Sequence, residues 1–241
     1  VKHKNPYKNP FVLALSMMMT MMMAVACSPS AGRAGKARAK LERSGIEYNE
    51  RAFFSQVIQN HPDAVNLFLE AGMNPDVAED DKTVLLEACR RGYPEIGSAL
   101  IEAGADVNAR DSYGVSCLMF SAITGSNQLI LEMVKKGADV NARDNYGRSA
   151  LVEALTTEND ITLKAFQALI DAGADVNVRI DGGLTPLMLA ADGSPDIIRL
   201  LIAAGADVNA SDSKGRTVLQ RAKNDPENRE ILVKAGAKEK T

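Results

Sequence analysis

Glu102-Ala103-Gly104-Ala105-Asp106-Val107-Asn108-Ala109-Arg110 is a phrase this chain returns to again and again. It recurs as Lys136-Gly137-Ala138-Asp139-Val140-Asn141-Ala142-Arg143, as Ala172-Gly173-Ala174-Asp175-Val176-Asn177-Val178-Arg179 and as Ala204-Gly205-Ala206-Asp207-Val208-Asn209-Ala210. The glycines at 72, 104, 137, 173, 205 and 236 are separated by 32, 33, 36, 32 and 31 residues. A self-similar period of this length marks a stack of small supersecondary units, each too small to bury both of its faces alone.

A second marker keeps the same step. Thr83-Val84-Leu85, Ser116-Cys117-Leu118, Ser149-Ala150-Leu151, Thr185-Pro186-Leu187 and Thr217-Val218-Leu219 lie in register with the glycines. Gly114, Gly147, Gly183 and Gly215 precede the later four. With these residues in place the chain resembles the ankyrin repeat family, whose pattern runs D-x-x-G-x-T-P-L-H-x-A-A, a second helix, then G-A-D-V-N. The resemblance covers about residues 46–238. It implies an all-α solenoid of helix-turn-helix units with protruding hairpin loops, about six units including caps. The family's histidine is Leu86, Met119, Val152, Met188 and Gln220 here, so the Thr–His link between hairpin and helix is expected to be missing.

Each unit reads as two short helices. In the second, Phe68, Leu100, Met133, Leu169, Leu201 and Leu232 form one apolar column, and Leu69, Ile101, Val134, Ile170, Ile202 and Val233 form its neighbour. Leu85, Leu118, Leu151, Leu187 and Leu219 form a column in the first helix. Three residues on come the small Ala88, Ser121, Ala154, Ala190 and Ala222, which permit close helix approach. Thr or Ser before each first helix suits an N-cap. The unit beginning at Glu47 lacks the T-P-L signal but keeps Phe53, Phe54 and Val57 at helical spacing, and the last, Asp212–Ala237, is shortened. Both read as caps. Three extra residues in the fourth unit fall near Thr156–Ile161.

The N-terminus departs from this pattern. Residues 1–10 carry Lys2, Lys4 and Lys8 and no acid, and Phe11–Ala26 is uncharged and mostly apolar. A basic segment, an apolar run and then small residues describe a secretory signal over 1–26. Ala24-Val25-Ala26-Cys27 resembles the bacterial lipobox, which implies acylation of Cys27, and Ser28 after it goes with outer-membrane sorting in that class. An ordinary cleavable signal and an uncleaved anchor are the alternatives. Residues 27–45 read as a lipid-anchored stem and linker with a short helix over 34–43, and 46–241 as the repeat domain. The expected location is the cell envelope, on the periplasmic face of the outer membrane.

Charge divides the remainder. Residues 28–43 contain Arg33, Lys36, Arg38, Lys40 and Arg43 against Glu42, net +4, whereas 44–241 hold 20 basic and 30 acidic residues, net −10. A basic stem on an anionic lipid surface is electrostatically sensible; a solvated helix face leading into the first repeat is the alternative. An acidic body excludes phosphate-driven nucleic-acid binding.

Little chemistry is on offer. The two histidines, His3 and His61, are isolated, and no zinc spacing, H-E-x-x-H, G-x-S-x-G or phosphate loop occurs. Asp80-Asp81 reads as a turn. No cofactor or metal is expected, and the chain is not expected to be an enzyme. Cys89 and Cys117 lie five positions apart in repeat register, an offset of about 7.5 Å along a helix. With helices about 8–10 Å apart, they are expected beyond the ~7 Å limit for a disulfide, as small buried residues.

The resemblance implies a protein partner held on hairpin tips and on the inner face of the first helices, by a monomer joined to the membrane through its lipidated N-terminus. The positions concerned include Arg110, Tyr113, Arg143, Tyr146, Arg148, Arg179 and Lys214 on hairpins, and Thr124 on a first helix. Arg110/Tyr113 and Arg143/Tyr146 recur one unit apart, so stacking would align them in two parallel rows. Local charge neutralisation beside Asp111 and Asp144 is the competing reading. For function the expectation is noncovalent scaffolding, retention or inhibition of an envelope protein. A structural or stress-protective component without a discrete partner is the rival, and an enzyme with an unrecognised site a lesser one.

Overall fold

The computed structural model describes residues 29–155 and 160–239. Its helices are α1 (Pro29–Arg43), α2 (Glu50–Ile58), α3 (Pro62–Glu70), α4 (Val84–Arg91), α5 (Pro94–Glu102), α6 (Cys117–Thr124) and α7 (Asn127–Lys135). They continue with α8 (Ala150–Ala154), α9 (Asp160–Asp171), α10 (Pro186–Leu189), α11 (Pro195–Ala203), α12 (Val218–Arg221) and α13 (Pro226–Lys234). From α2 onward they pair into six units. The second helices form one continuous row, α3–α5–α7–α9–α11–α13, beside which the first helices α2, α4, α6 and α8 stack in turn. This is the all-α solenoid that the period requires.

The columns account for the packing. Phe68, Leu100, Met133, Leu169, Leu201 and Leu232 are all fully buried, as are the first-helix leucines, to within 1%. The neighbouring column is graded, from Ile101 at 2% exposure to Val233 at 52%. It marks the edge of the core rather than its centre. Ala88, Ser121, Ala154, Ala190 and Ala222 are buried between adjacent first helices, where larger side chains would force the stack apart. The core runs from Leu41 to Ala237.

The repeated phrase has a second task. Asn108 Nδ2 donates to Gly137 O (3.3 Å), and its Oδ1 accepts from Asp139 N (3.0 Å). Asn141 does the same to Gly173 and Asp175, Asn177 to Gly205 and Asp207, and Asn209 to Gly236 and Lys238. Each asparagine therefore clamps the loop of the following unit through a donor and an acceptor. The glycine it engages has positive φ, 88° to 93° at the second-helix ends, where a side chain is penalised.

Caps were partly misjudged. Thr83, Ser116 and Thr185 accept from the backbone N–H three residues on, as expected. The link lost with the family histidine is rebuilt in two units. Gln220 Oε1 accepts from Thr217 N at 2.9 Å, and Met119 Sδ takes the N–H of Ser116 at 3.4 Å. Any acceptor of that reach can satisfy the N–H, so the absence of histidine is not the absence of the tie.

Two further expectations change. The helix expected over 34–43 begins at Pro29 and is docked, not a free stem: α1 packs on α3 and heads the second-helix row, with Ala37 and Leu41 buried. Arg38 Nη2 and Tyr48 Oη both donate to Ala71 O at the end of α3, with the Arg38 guanidinium 4.3 Å over the Tyr48 ring. The N-terminal cap thus begins before the first repeat. Cys89 and Cys117 are both buried, but their Cα atoms lie 5.5 Å apart, within the span of a disulfide. The start of α6 packs closely on α4, with Cys117 Sγ 3.7 Å from Leu85 O, so the offset along the helix does not keep the two cysteines apart.

Cys27, the signal over 1–26 and Thr156–Thr157 lie outside the described residues. Among the described residues no helix is long and apolar enough to cross a membrane.

Candidate partner-binding site

Between the units, short hairpins project from the stack. The first is a two-stranded ribbon, β1 (Ala78–Glu79) and β2 (Lys82–Thr83), turned by Asp80 and Asp81 at φ 47° and 61°. Three others are held by single bridges, Arg110 to Ser116, Ile180 to Leu184 and Ser211 to Thr217, and the fourth by Asp144 N donating to Arg148 O at 2.9 Å. At three tips a buried or half-buried aspartate folds the turn. Asp111 Oδ1 accepts from Tyr113 N and Val115 N, Asp144 Oδ1 from Tyr146 N and Arg148 N, and Asp212 Oδ1 from Lys214 N and Arg216 N, all within 2.8–2.9 Å. The tip conformation is thus fixed by backbone geometry before any partner arrives.

Neighbouring tips lock together. Asn145 N donates to Tyr113 O (3.0 Å) and its Nδ2 to Ser112 O (3.2 Å). Gly114 is needed there, since a Cβ would stand 2.9 Å from Asn145 Oδ1 and 3.2 Å from its backbone nitrogen. The two tyrosines are consequently presented side by side, Tyr113 at 62% and Tyr146 at 57% exposure.

The arginines divide by role. Arg110 Nη1 donates to Arg143 O (2.9 Å), and Arg179 Nη1 to Gly183 O (3.1 Å) and Ser211 O (2.9 Å), so both brace one hairpin on the next. Arg148 bridges two buried carboxylates, Asp144 (2.8 Å) and Glu153 (2.8 Å), and lies 5.2 Å from the Tyr146 ring. Thr124 spends its hydroxyl on Ser121 O and Ser126 Oγ. Arg143 and Lys214 are exposed and make no side-chain hydrogen bond or ion pair among the described residues. Of the eight positions singled out in the sequence, then, Tyr113, Arg143 and Tyr146 come together as open groups. Lys214 is open but lies two hairpins further on.

Sequence reasoning missed the buried charge clusters. Asp212 is held by Arg216 (2.8 Å) and Arg221 (3.0 Å). Burial pushes its carboxyl up, but the backbone N–H of Arg216, the two guanidiniums and the Lys214 N–H outweigh this and hold it far below the usual carboxylate range. Burial also raises Glu87, yet Arg90 and Arg91 pair with it and leave it lowered. At Glu153 burial prevails: its carboxyl is raised, since Arg148 opposes the shift while Asp144 adds to it. The signal was present in Asp144/Arg148 and Asp212/Arg216, the same D-x-x-x-R spacing in two units. Among the described residues no three of His, Cys, Asp and Glu converge as a metal-ligand set.

A stack of helix pairs with rigid, laterally braced tips defines a solenoid that presents an extended surface rather than a cleft. The comparisons agree. Residues 36–111 and 159–241 match the family described as "Ankyrin repeats (3 copies)", and 100–154 match "Ankyrin repeats (many copies)". An ankyrin repeat-containing protein of Treponema pallidum (strain Nichols) is 33% identical over 196 residues, covering 79% of this chain and 53% of that protein. This chain belongs to the ankyrin repeat family, and it spans about half the length of that relative. Repeats of this family suggest a protein–protein interaction module.

Proposed function

We propose that the chain is a lipid-anchored envelope protein whose hairpin tips capture another protein noncovalently, to scaffold, retain or inhibit it. One observation carries this reading: Tyr113 and Tyr146 stand more than half exposed on tips that are already rigid, beside the unengaged cation of Arg143. Tyrosine and arginine supply large contact area and strong donors at little ordering cost, which is why they dominate binding hot spots. Binding acts through surface complementarity, with no bond made or broken, and the chain works as a monomer.

The envelope location rests on the basic and then apolar N-terminus ending at Cys27. The test is in-cell photo-crosslinking from Tyr113, in wild type and in Arg143→Ala/Tyr146→Ala. Wild type should give a discrete adduct that the double variant loses while its helical CD is unchanged. Adducts of equal yield in both would defeat the capture site. Separately, Cys27→Ala should release the protein from the membrane fraction, and retention of that variant would defeat the acyl anchor.

A further inference from the structure

Helix α1 is fastened to the body on one side only. Ala37 and Leu41 are buried against α3, and Arg38 is tied to Ala71 O and Tyr48. At 100° per residue, Arg33, Lys36, Lys40 and Arg43 fall within about 80° of helix circumference and about 15 Å of its length. All four are exposed, and none has an acidic partner among the described residues. Glu42 projects from the far side of the same helix. Because α1 is docked, this row cannot turn inward or swing away; its outward direction is set by the fold. Everything after it is net acidic, so this end of the stack alone would be drawn toward a negatively charged plane while the rest is repelled from it.

We propose that the Arg33–Lys36–Lys40–Arg43 row is a contact surface for an anionic lipid bilayer, which stands the solenoid on its N-terminal cap. This rests on the anchored reading above and deepens it. The helix begins only two residues after Cys27, so an acyl chain there has almost no tether, and α1 would lie at headgroup level. A flexible stem would leave orientation free; a docked basic helix fixes it.

The test removes the acyl contribution and reads the row alone. The full chain carrying Cys27→Ser is floated with neutral phosphatidylcholine vesicles and with vesicles containing about one-third phosphatidylglycerol, at about 50 and about 300 mM salt. Dividing anionic by neutral partition cancels any apolar contribution of the N-terminus. At roughly fivefold per cation near the surface, the low-salt ratio should fall on the order of a hundredfold or more in R33E/K36E/K40E/R43E. It should fall less in the quadruple Gln variant, and high salt should shrink it in the parent. Should the Glu variant lose its helical CD, the Gln variant decides. An anionic-to-neutral ratio near one in the parent, or one that neither variant moves, overturns the proposal and leaves an acidic protein as the row's partner. Retention of acylated wild type in cells is a separate readout, so failure of the anchor and failure of the row are distinguishable.

Discussion

Replacing Asn177 by alanine removes two bonds that join the fourth unit to the fifth: Nδ2 to Gly205 O (3.0 Å) and Oδ1 from Asp207 N (2.7 Å). Each is worth about 0.5–1.5 kcal/mol net, and because the site is exposed, water will resolvate the freed groups. The expected loss is therefore about 1–2 kcal/mol, in the lower part of the two-bond range. Asn177→Asp keeps the acceptor but not the donor and should lose about half as much. In a solenoid, stability is a sum of unit and interface terms, so weakening one interface should also reduce cooperativity. Urea unfolding followed by CD at 222 nm reads both. Asn177→Ala should lower the midpoint and broaden the transition, with the equivalent changes at Asn108, Asn141 and Asn209 adding approximately. A loss below about 0.5 kcal/mol at Asn177, with additivity intact, would mean that the ladder decorates the stack and does not hold it.

Further outcomes follow from the same contacts. Leu41→Ala should cost about 2–4 kcal/mol at the cap, seen as faster amide exchange confined to α1 and α3 rather than across the stack. Asn228 is fully buried and donates to Ala191 O (3.2 Å) and Gly193 O (2.9 Å); Asn228→Ala should cost about 2–3 kcal/mol in the last unit. Asn228→Asp should be worse, since a carboxylate would face two carbonyls. For pH, the folded carboxyls of Asp212 and Glu87 are lowered, so the stability they give is present at neutral pH and is lost below about pH 4, as each protonates. Glu153 is raised, so its ionised form is a cost at neutral pH that is relieved first on acidification. A thermal melt series should thus stay level or rise slightly from pH 7 to about 5, then fall steeply, and Asp212→Asn should soften that fall.

The stack was legible because its signal is redundant. Six glycines, three apolar columns and a small-residue column give the same period, and no single substitution can hide it. What escaped was anything set by the relation between units. The approach of Cys89 to Cys117 has no sequence signature; register gives the position along a helix, not the distance between helices. The docking of α1 was hidden because, among its described residues, only Ala37 and Leu41 are buried, too few to read as an apolar face. At the candidate site, sequence found the right tips but could not tell a free arginine from a brace. Arg110, Arg143 and Arg179 occupy equivalent positions, yet only Arg143 leaves its guanidinium unengaged. Such a distinction depends on the next hairpin's carbonyl, which the arginine's own neighbours do not encode.

The most direct measurement of the capture face compares photo-crosslinkers at Tyr113 and Tyr146 with one at Leu131, which is 48% exposed but lies on the second-helix row. Discrete adducts from both tyrosine positions and none from Leu131 are the predicted result. Equal labelling from all three, or from Leu131 alone, would contradict it.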